Sequence, residues 1–155
     1  MVRTARRSAF SLIELVIVVV IIGIIAAIAI PRMSRGASGA ADAALQSNLR
    51  QLRNAIDLFY TEHDNVFPDD TTFTAQLTTF TDQGGTANAT RTSTYIFGPY
   101  IREIPALPVG AKKGQSGVAS ATGSSIGWLY TASTGTIKAN TTSEADARGV
   151  LYSTY

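Results

Sequence analysis

The chain has 155 residues, 13 basic and 11 acidic side chains, and no cysteine. This length accommodates one small domain and one membrane-spanning segment, which excludes a large multidomain enzyme. The absence of cysteine excludes a disulfide framework and a thiolate metal site. Because Arg3, Arg6 and Arg7 all lie before the long apolar run, the rest of the chain is close to neutral, and nucleic acid binding through a basic surface has little support.

The first predicted element is an apolar helix over residues 10–30. At about 1.5 Å per residue it rises about 31 Å, which matches a hydrocarbon core of about 30 Å. The arginines before it predict a cytoplasmic N-terminus and place the remaining chain outside the inner membrane. A signal peptide cleaved after Ala29 or Ala37 is the competing interpretation, but the apolar run exceeds the usual length of about 7 to 15 residues.

One carboxylate, Glu14, lies near the start of this apolar run. A charge in a spanning helix is costly and usually has a partner or a role. It is either an interfacial charge stabilised by the positive end of the helix dipole or an assembly residue. In the second case, cleavage between Ala9 and Phe10 would create an α-amino group that neutralises Glu14 of a neighbouring chain.

The stretch "RRSAFSLIELVIVVVIIGIIAAIAIP" resembles the N-terminus of type IV prepilins and type II secretion pseudopilins. The shared features are a short basic leader, a cut before Phe, Glu as the fifth mature residue and an apolar helix interrupted by Pro. The resemblance implies that a prepilin peptidase cleaves between Ala9 and Phe10 and methylates the new amine of Phe10, and that Glu14 is the assembly residue. Ala9 stands where the family usually has Gly.

Two positions weaken the predicted apolar helix, Gly23 and Pro31. The resemblance implies that the helix loosens between such positions in a filament, whereas the alternative is an ordinary kinked spanning helix. Gly23 also forms a small-xxx-small pair with Ala27, which allows two helix backbones to approach closely.

Residues 31–62 are predicted to continue this helix as an amphipathic second half. Apolar side chains recur every three or four residues and fall on one helix face: Leu45, Leu49, Leu52, Ile56 and Phe59. This stripe is half of a domain core and predicts a sheet that covers it.

Residues 63–155 are predicted to form a globular region with a short helix or loop at residues 75–80. The segment "GWLYTASTGTIKAN" predicts a β-hairpin, with strands at 128–131 and 136–139 and a turn at Gly135. Edge strands are expected in residues 94–101 and 149–155. The predicted fold is α+β, a long N-terminal helix packed on a small C-terminal antiparallel sheet, divided into a leader (1–9), an assembly helix (10–30), an amphipathic half (31–62) and a periplasmic region (63–155).

The segment "YIREIPALPVG", residues 100–110, resembles a pattern of the major pseudopilins of type II secretion. It matches that pattern at Tyr100, Ile101, Ile104, Pro105, Pro108 and Gly110. It departs at Leu107 and Val109, where the family has Asp and Trp. Together with the N-terminus, these matches favour a pseudopilin.

The resemblance also raises the question of calcium, which that family often binds in an Asp-rich C-terminal loop. Here the loop contains only Glu144 and Asp146, too few for the six to eight oxygen ligands of calcium, so no metal is expected. His63 is the single histidine and is interpreted as a helix-end residue stabilised by the dipole rather than as a catalytic group. No catalytic motif is recognised, so we expect neither a cofactor nor an enzyme.

The predicted protein is therefore a structural subunit of a type II secretion pseudopilus. The resemblance implies an inner-membrane subunit with a periplasmic domain, and as partners further copies in a filament, a prepilin peptidase, the assembly platform and minor pseudopilins. One alternative is a type IV pilus subunit for adhesion, motility or DNA uptake. A second is a membrane-anchored binding domain that never polymerises.

Overall fold

The computed structural model describes residues 11–155, without the side chains of residues 30–37. The chain divides into two compact units, Met1–Ala37 and Ser38–Tyr155. The described elements are helices α1 (Leu12–Glu62) and α2 (Phe73–Thr78), strands β1 (Phe80–Thr81), β2 (Ala87–Asn88), β3 (Gly117–Ala119), β4 (Ile126–Thr131) and β5 (Thr136–Ala139), and a 3₁₀-helix, Tyr152–Thr154.

Helix α1 is 51 residues long and confirms the predicted long N-terminal helix. It runs without interruption through Gly23 and Pro31. The predicted loosening between these residues concerns a filament, and it stays a prediction. The side chains of residues 12–29 are mostly exposed. A helix that is apolar on every side needs lipid or other helices to cover it.

The second unit has its core where the predicted stripe of α1 meets the sheet. All five stripe residues are buried, and none is more than 1% exposed: Leu45, Leu49, Leu52, Ile56 and Phe59. Trp128, Tyr130 and Ile137 from β4 and β5 are buried in the same cluster. The period of three to four residues in α1 and the alternation in the strands therefore bury one face of each element, and the predicted α+β arrangement is confirmed.

The hairpin of β4 and β5 is antiparallel, as predicted, and pairs Thr131 with Thr136 at its turn. Gly135 in this turn has a φ of +66°, and a Cβ there would lie 2.3 Å from the ring of Phe67. Glycine is therefore needed both for the left-handed backbone and for the space. Strand β3 lies parallel to β4, so the sheet is mixed rather than wholly antiparallel.

The two predicted edge strands are wrong. In residues 94–101 only Phe97 pairs, through an isolated bridge to Thr81. Gly98, with a φ of +70°, and Pro99, which has no N–H, cannot continue a ladder. In residues 149–155 a single bridge at Leu151 is followed by the 3₁₀-helix.

The two departures from the pseudopilin pattern, Leu107 and Val109, lie in the core and are 1% and 5% exposed. Pro105, between the matching positions, accepts a hydrogen bond of 2.7 Å from the indole Nε1 of Trp128. Residues 100–110 thus cover the buried face of the sheet, and apolar side chains fill the positions where Asp and Trp were expected.

Candidate assembly site

Glu14 lies in the first turn of α1, where its carboxylate accepts a hydrogen bond of 2.8 Å from the backbone N–H of Ser11. Because Leu12 is the first helical residue, Ser11 is the N-cap and Glu14 is the third helical residue. This is one half of a capping box, that in which the acidic side chain satisfies the N-cap donor. A negative charge in the first turn also interacts favourably with the helix dipole.

The signal for this cap is the spacing S-x-x-E in "SLIE", which is readable in the sequence but was absent from the sequence interpretation. The cap gives Glu14 a local role before any neighbour is present. Ala9 and Phe10, the predicted cleavage and methylation sites, lie outside the described residues, so the predicted contact of Glu14 with an amine stays a prediction.

The helix that follows Glu14 is apolar and exposed on every side. Within the described residues, Leu12–Ala29 is the segment long and apolar enough to cross a membrane, and none of its residues is buried. A Cβ on Gly23 would meet no atom within 4 Å, so this position is open to another helix. Such a helix requires lipid or other helices around it, which indicates a membrane anchor.

Glu144, the first of the two calcium candidates, is held by backbone donors. Its carboxylate accepts hydrogen bonds of 2.9 Å from the N–H of Ala111 and 2.8 Å from that of Thr142. These bonds lower the pKa of Glu144 to about 2, and the bond from Ala111 contributes most. Gly110 precedes Ala111 and has a φ of +72°. A Cβ on Gly110 would lie 3.2 Å from a carboxylate oxygen of Glu144, so glycine allows the backbone to come this close.

Asp146, the second candidate, is buried and surrounded by donors. Its carboxylate accepts hydrogen bonds from the Tyr155 hydroxyl at 2.6 Å, from Nε of Arg148 at 2.8 Å and from the N–H of Val150 at 2.9 Å. The bond from Tyr155 is the largest reason that the pKa of Asp146 lies well below its ordinary value. Burial opposes this shift, and the bonds from Val150 and Arg148 add to it.

These two carboxylates do not fit a calcium site. Each accepts its hydrogen bonds from separate protein groups, and the described residues include no cluster of three or more metal-ligating side chains. Calcium needs six to eight oxygen ligands at about 2.3 to 2.6 Å. Glu144 and Asp146 instead accept hydrogen bonds from the chain itself, and these bonds hold the C-terminal segment in place.

The C-terminal segment is also bound to α1, through residues that the sequence analysis missed. The Tyr152 hydroxyl donates to Asp42 at 2.7 Å across 110 residues of sequence, and this bond is the main cause that raises the pKa of Tyr152 to about 12. Arg53 donates to the backbone carbonyls of Tyr155 at 2.5 Å and Ile137 at 3.4 Å. Hydropathy patterns carry no signal for such distant polar pairs.

His63 follows the last residue of α1 and is 2% exposed. Its Nδ1 lies 2.8 Å from the carbonyl of Phe59, and its Nε2 lies 3.0 Å from the hydroxyl of Thr81. Because a carbonyl only accepts, Nδ1 carries the proton and Nε2 accepts from Thr81 in the neutral ring. The ring also stacks on Phe59, so the ring and both its nitrogens have partners within the folded unit.

Comparison with known protein families found one family model that matches part of the chain. Residues 4–30 match the family model described as the prokaryotic N-terminal methylation motif. No match was found among curated proteins or among solved structures. The motif covers the predicted cleavage site, Glu14 and the exposed apolar helix, and with the α+β fold it supports a type IV pilin-like, prepilin-processed subunit with a membrane anchor.

Proposed function

We propose that this chain is a structural subunit of a type II secretion pseudopilus, processed by a prepilin peptidase and polymerised through α1. The observation that carries the proposal is the position of Glu14 inside the methylation motif. It is the third residue of a helix that is otherwise apolar and exposed over Leu12–Ala29. A carboxylate in a membrane-spanning helix is favoured only if donors meet it; the Ser11 N–H is one, and a neighbouring subunit's amine is the charged donor that processing would create.

In this proposal, assembly exchanges lipid for other copies of the same helix. After cleavage before Phe10, the methylated amine of an entering subunit would meet Glu14 of its neighbour, while the apolar side chains pack together. Gly23 and Ala27 would allow close helix contact, because small residues bring backbones together. The N-terminus would be cytoplasmic and the second unit periplasmic, and growth would depend on the assembly platform and minor pseudopilins.

The pseudopilus is favoured over a type IV pilus by residues 100–110. Ile101 and Ile104 of that pattern are buried, and the carbonyl of Pro105 accepts a hydrogen bond from the indole of Trp128. The matching positions therefore have structural roles in this fold. The alternative, a type IV pilus subunit, is favoured by the departures at Leu107 and Val109. The absence of cysteine counts against the pilus, because that branch commonly carries a cysteine pair.

Deleting the gene in its host distinguishes these two functions. A pseudopilus subunit is required for export of secreted proteins, and a pilus subunit is required for surface pili. We expect loss of secretion with surface pili retained. Loss of pili with normal secretion would contradict the pseudopilus and establish the alternative.

The intact mass and N-terminal sequence of the purified protein test processing itself. We expect a chain that begins at N-methyl-Phe10. A mature chain that retains residues 1–9, in a host with the peptidase, would contradict the filament proposal and favour an anchored binding domain that does not polymerise.

A further inference from the structure

A cleft of about 550 Å³ opens beside the C-terminal end of α1. Val66 and Phe67 contribute apolar surface to it, and Val66 is 61% exposed, while the buried Phe59 is also among its lining residues. Asp64 and Asp69 line it, and three more carboxylates lie on the adjoining residues of the same loops and helix end: Glu62, Asp70 and Asp82. We call this region the acidic cleft.

The acidic cleft has no cation of its own. Neither Lys nor Arg lines it, and the one salt bridge found in the described part of the chain joins Arg148 to Asp146 elsewhere. The amide of Gln76 is already bonded to the N–H of Asp69 and the carbonyl of Gly85. Asp64 accepts a hydrogen bond from Gln83 and Asp69 accepts from Thr71, so the cleft offers negative charge that no lining cation balances, beside apolar surface. The described carboxylates form no group that could hold a metal ion.

A matching cationic feature lies elsewhere on the same unit. Residues 110–114 form a turn that carries Lys112 and Lys113, and we call it the lysine turn. It is closed by hydrogen bonds from Lys113 N–H to Gly110 and from Gly114 N–H to Leu107. Lys113 is exposed, and no carboxylate of the described residues lies within salt-bridge distance of either lysine.

The two features lie beside different parts of the α1 segment in this unit. The chain leading into the lysine turn is bonded to α1 at Asn48, whose side-chain amide donates to the carbonyl of Ala106. The acidic cleft is lined by Phe59, eleven residues further along α1, which corresponds to about 17 Å of helix. Within one chain, neither lysine lines the cleft or forms a salt bridge with its carboxylates.

We propose that the acidic cleft of one subunit binds the lysine turn of a second copy of this chain, so that the globular units stack head to tail. Two different, complementary surfaces on one molecule make a heterologous contact, which generates an open filament rather than a closed dimer. The lysine stems would cover Val66 and Phe67 while their ammonium groups meet the carboxylates. This inference rests on the proposed filament function and adds to it the contact that orients successive globular units.

Charge reversal with rescue tests the contact in the full-length protein. Lys113→Glu and Asp70→Lys should each reduce the yield of sheared filaments at least about tenfold, since each places like charges together in every contact. Asp70 is suited to the change because its carboxylate has no hydrogen bond within the described residues. The combination of both changes in one chain should recover most of the yield.

Matched controls carry the same change in charge at other exposed positions. Lys138→Glu lies on β5 and Asp57→Lys on α1, and both side chains are exposed. These controls should form filaments at close to the wild-type yield, with equal membrane levels of processed subunit. If Lys113→Glu assembles as well as Lys138→Glu, the proposed contact is wrong.

Cross-linking of wild-type filaments tests the contact without a mutation. A carbodiimide joins an amine directly to a carboxylate, and we expect peptides that link Lys112 or Lys113 to a carboxylate of the acidic cleft. Such links are expected between two copies, because within one chain no described carboxylate lies within salt-bridge distance of either lysine. Filaments whose lysine turn is linked only to other sites would overturn the contact and leave the filament function intact, whereas a wild-type chain that forms no filaments would overturn both.

Discussion

Two donors are available to Glu14 at different stages. In the described chain the carboxylate accepts from the backbone of Ser11, and in the proposed filament it would also meet the amine of a neighbouring Phe10. A capping box needs only an acceptor, and Gln serves as well as Glu. An ion pair needs the charge. Replacement of Glu14 by Gln therefore removes the second interaction and keeps the first.

Glu14→Gln should leave membrane insertion and leader cleavage largely unchanged, because an uncharged residue inserts more easily. Filament yield should fall severely, since breaking a buried ion pair typically costs about 3 to 5 kcal/mol and the loss recurs with every subunit. An interfacial charge helped only by the dipole would lose a few tenths to about 1 kcal/mol. Counting sheared filaments at matched levels of processed subunit is the measurement.

Asp57→Asn is the control for this change, because it neutralises an exposed carboxylate on the same helix. It should assemble normally. Undiminished filaments in Glu14→Gln would remove the assembly role from Glu14 and leave it as a helix cap.

Glu144 gives a second prediction at the scale of a single residue. Its folded pKa of about 2 lies below the ordinary value of 4.5, because Ala111 and Thr142 donate to the charged form. The charged carboxylate therefore stabilises the fold above about pH 4.5, and this contribution is lost as the pH falls toward 2. Glu144→Gln should destabilise the protein at pH 7 and show a smaller further loss between these pH values. Urea unfolding at several pH values measures this, and equal acid sensitivity of both proteins would refute it.

At the scale of an element, α1 combines two different helices in one. The residues before Ala29 are apolar on all sides, and the residues after Leu45 are apolar on one face only. The first part requires an environment outside the chain, and the second part has its sheet within the chain. The tertiary bonds of Arg53 and of Asp42 to the C-terminal segment reinforce this second part.

Leu52, at the centre of the stripe, is 0% exposed. Leu52→Asp should unfold the second unit, because it buries an unpaired charge where apolar side chains pack. Gln51→Asp places the same charge on the neighbouring exposed position and should be nearly neutral. Circular dichroism and thermal unfolding compare the two. A Leu52→Asp protein as stable as Gln51→Asp would show that the stripe is not the core.

At the scale of the whole molecule, the apolar span and the globular core lie in different compact units. We therefore expect a fragment that begins at Ser38 to fold without the span and to be monomeric at micromolar concentration. The head-to-tail contact does not change this expectation, because exposed ion pairs contribute only about 0 to 1 kcal/mol each. Sedimentation of the fragment measures its mass, and a stable oligomer at that concentration would show that contacts between second units are stronger than exposed ion pairs allow.

Local periodicity determined much of this protein. The long apolar run predicted the span, the three-to-four spacing from Leu45 to Phe59 predicted the core face of α1, and the segment around Gly135 predicted the hairpin. Each of these signals lies within a short stretch of chain, where hydrophobic spacing and turn chemistry act directly.

The tertiary structure alone decided the parallel pairing of β3, the irregular path of residues 94–101 and the bonds that hold the C-terminal segment. Tyr152 meets Asp42 across 110 residues, and Glu144 meets the turn at Ala111. Contacts of this kind depend on which surfaces the folded core brings together, and no local pattern records them. The same reason explains why the acidic cleft is recognisable as complementary to the lysine turn only once the fold has assembled its lining from separate segments.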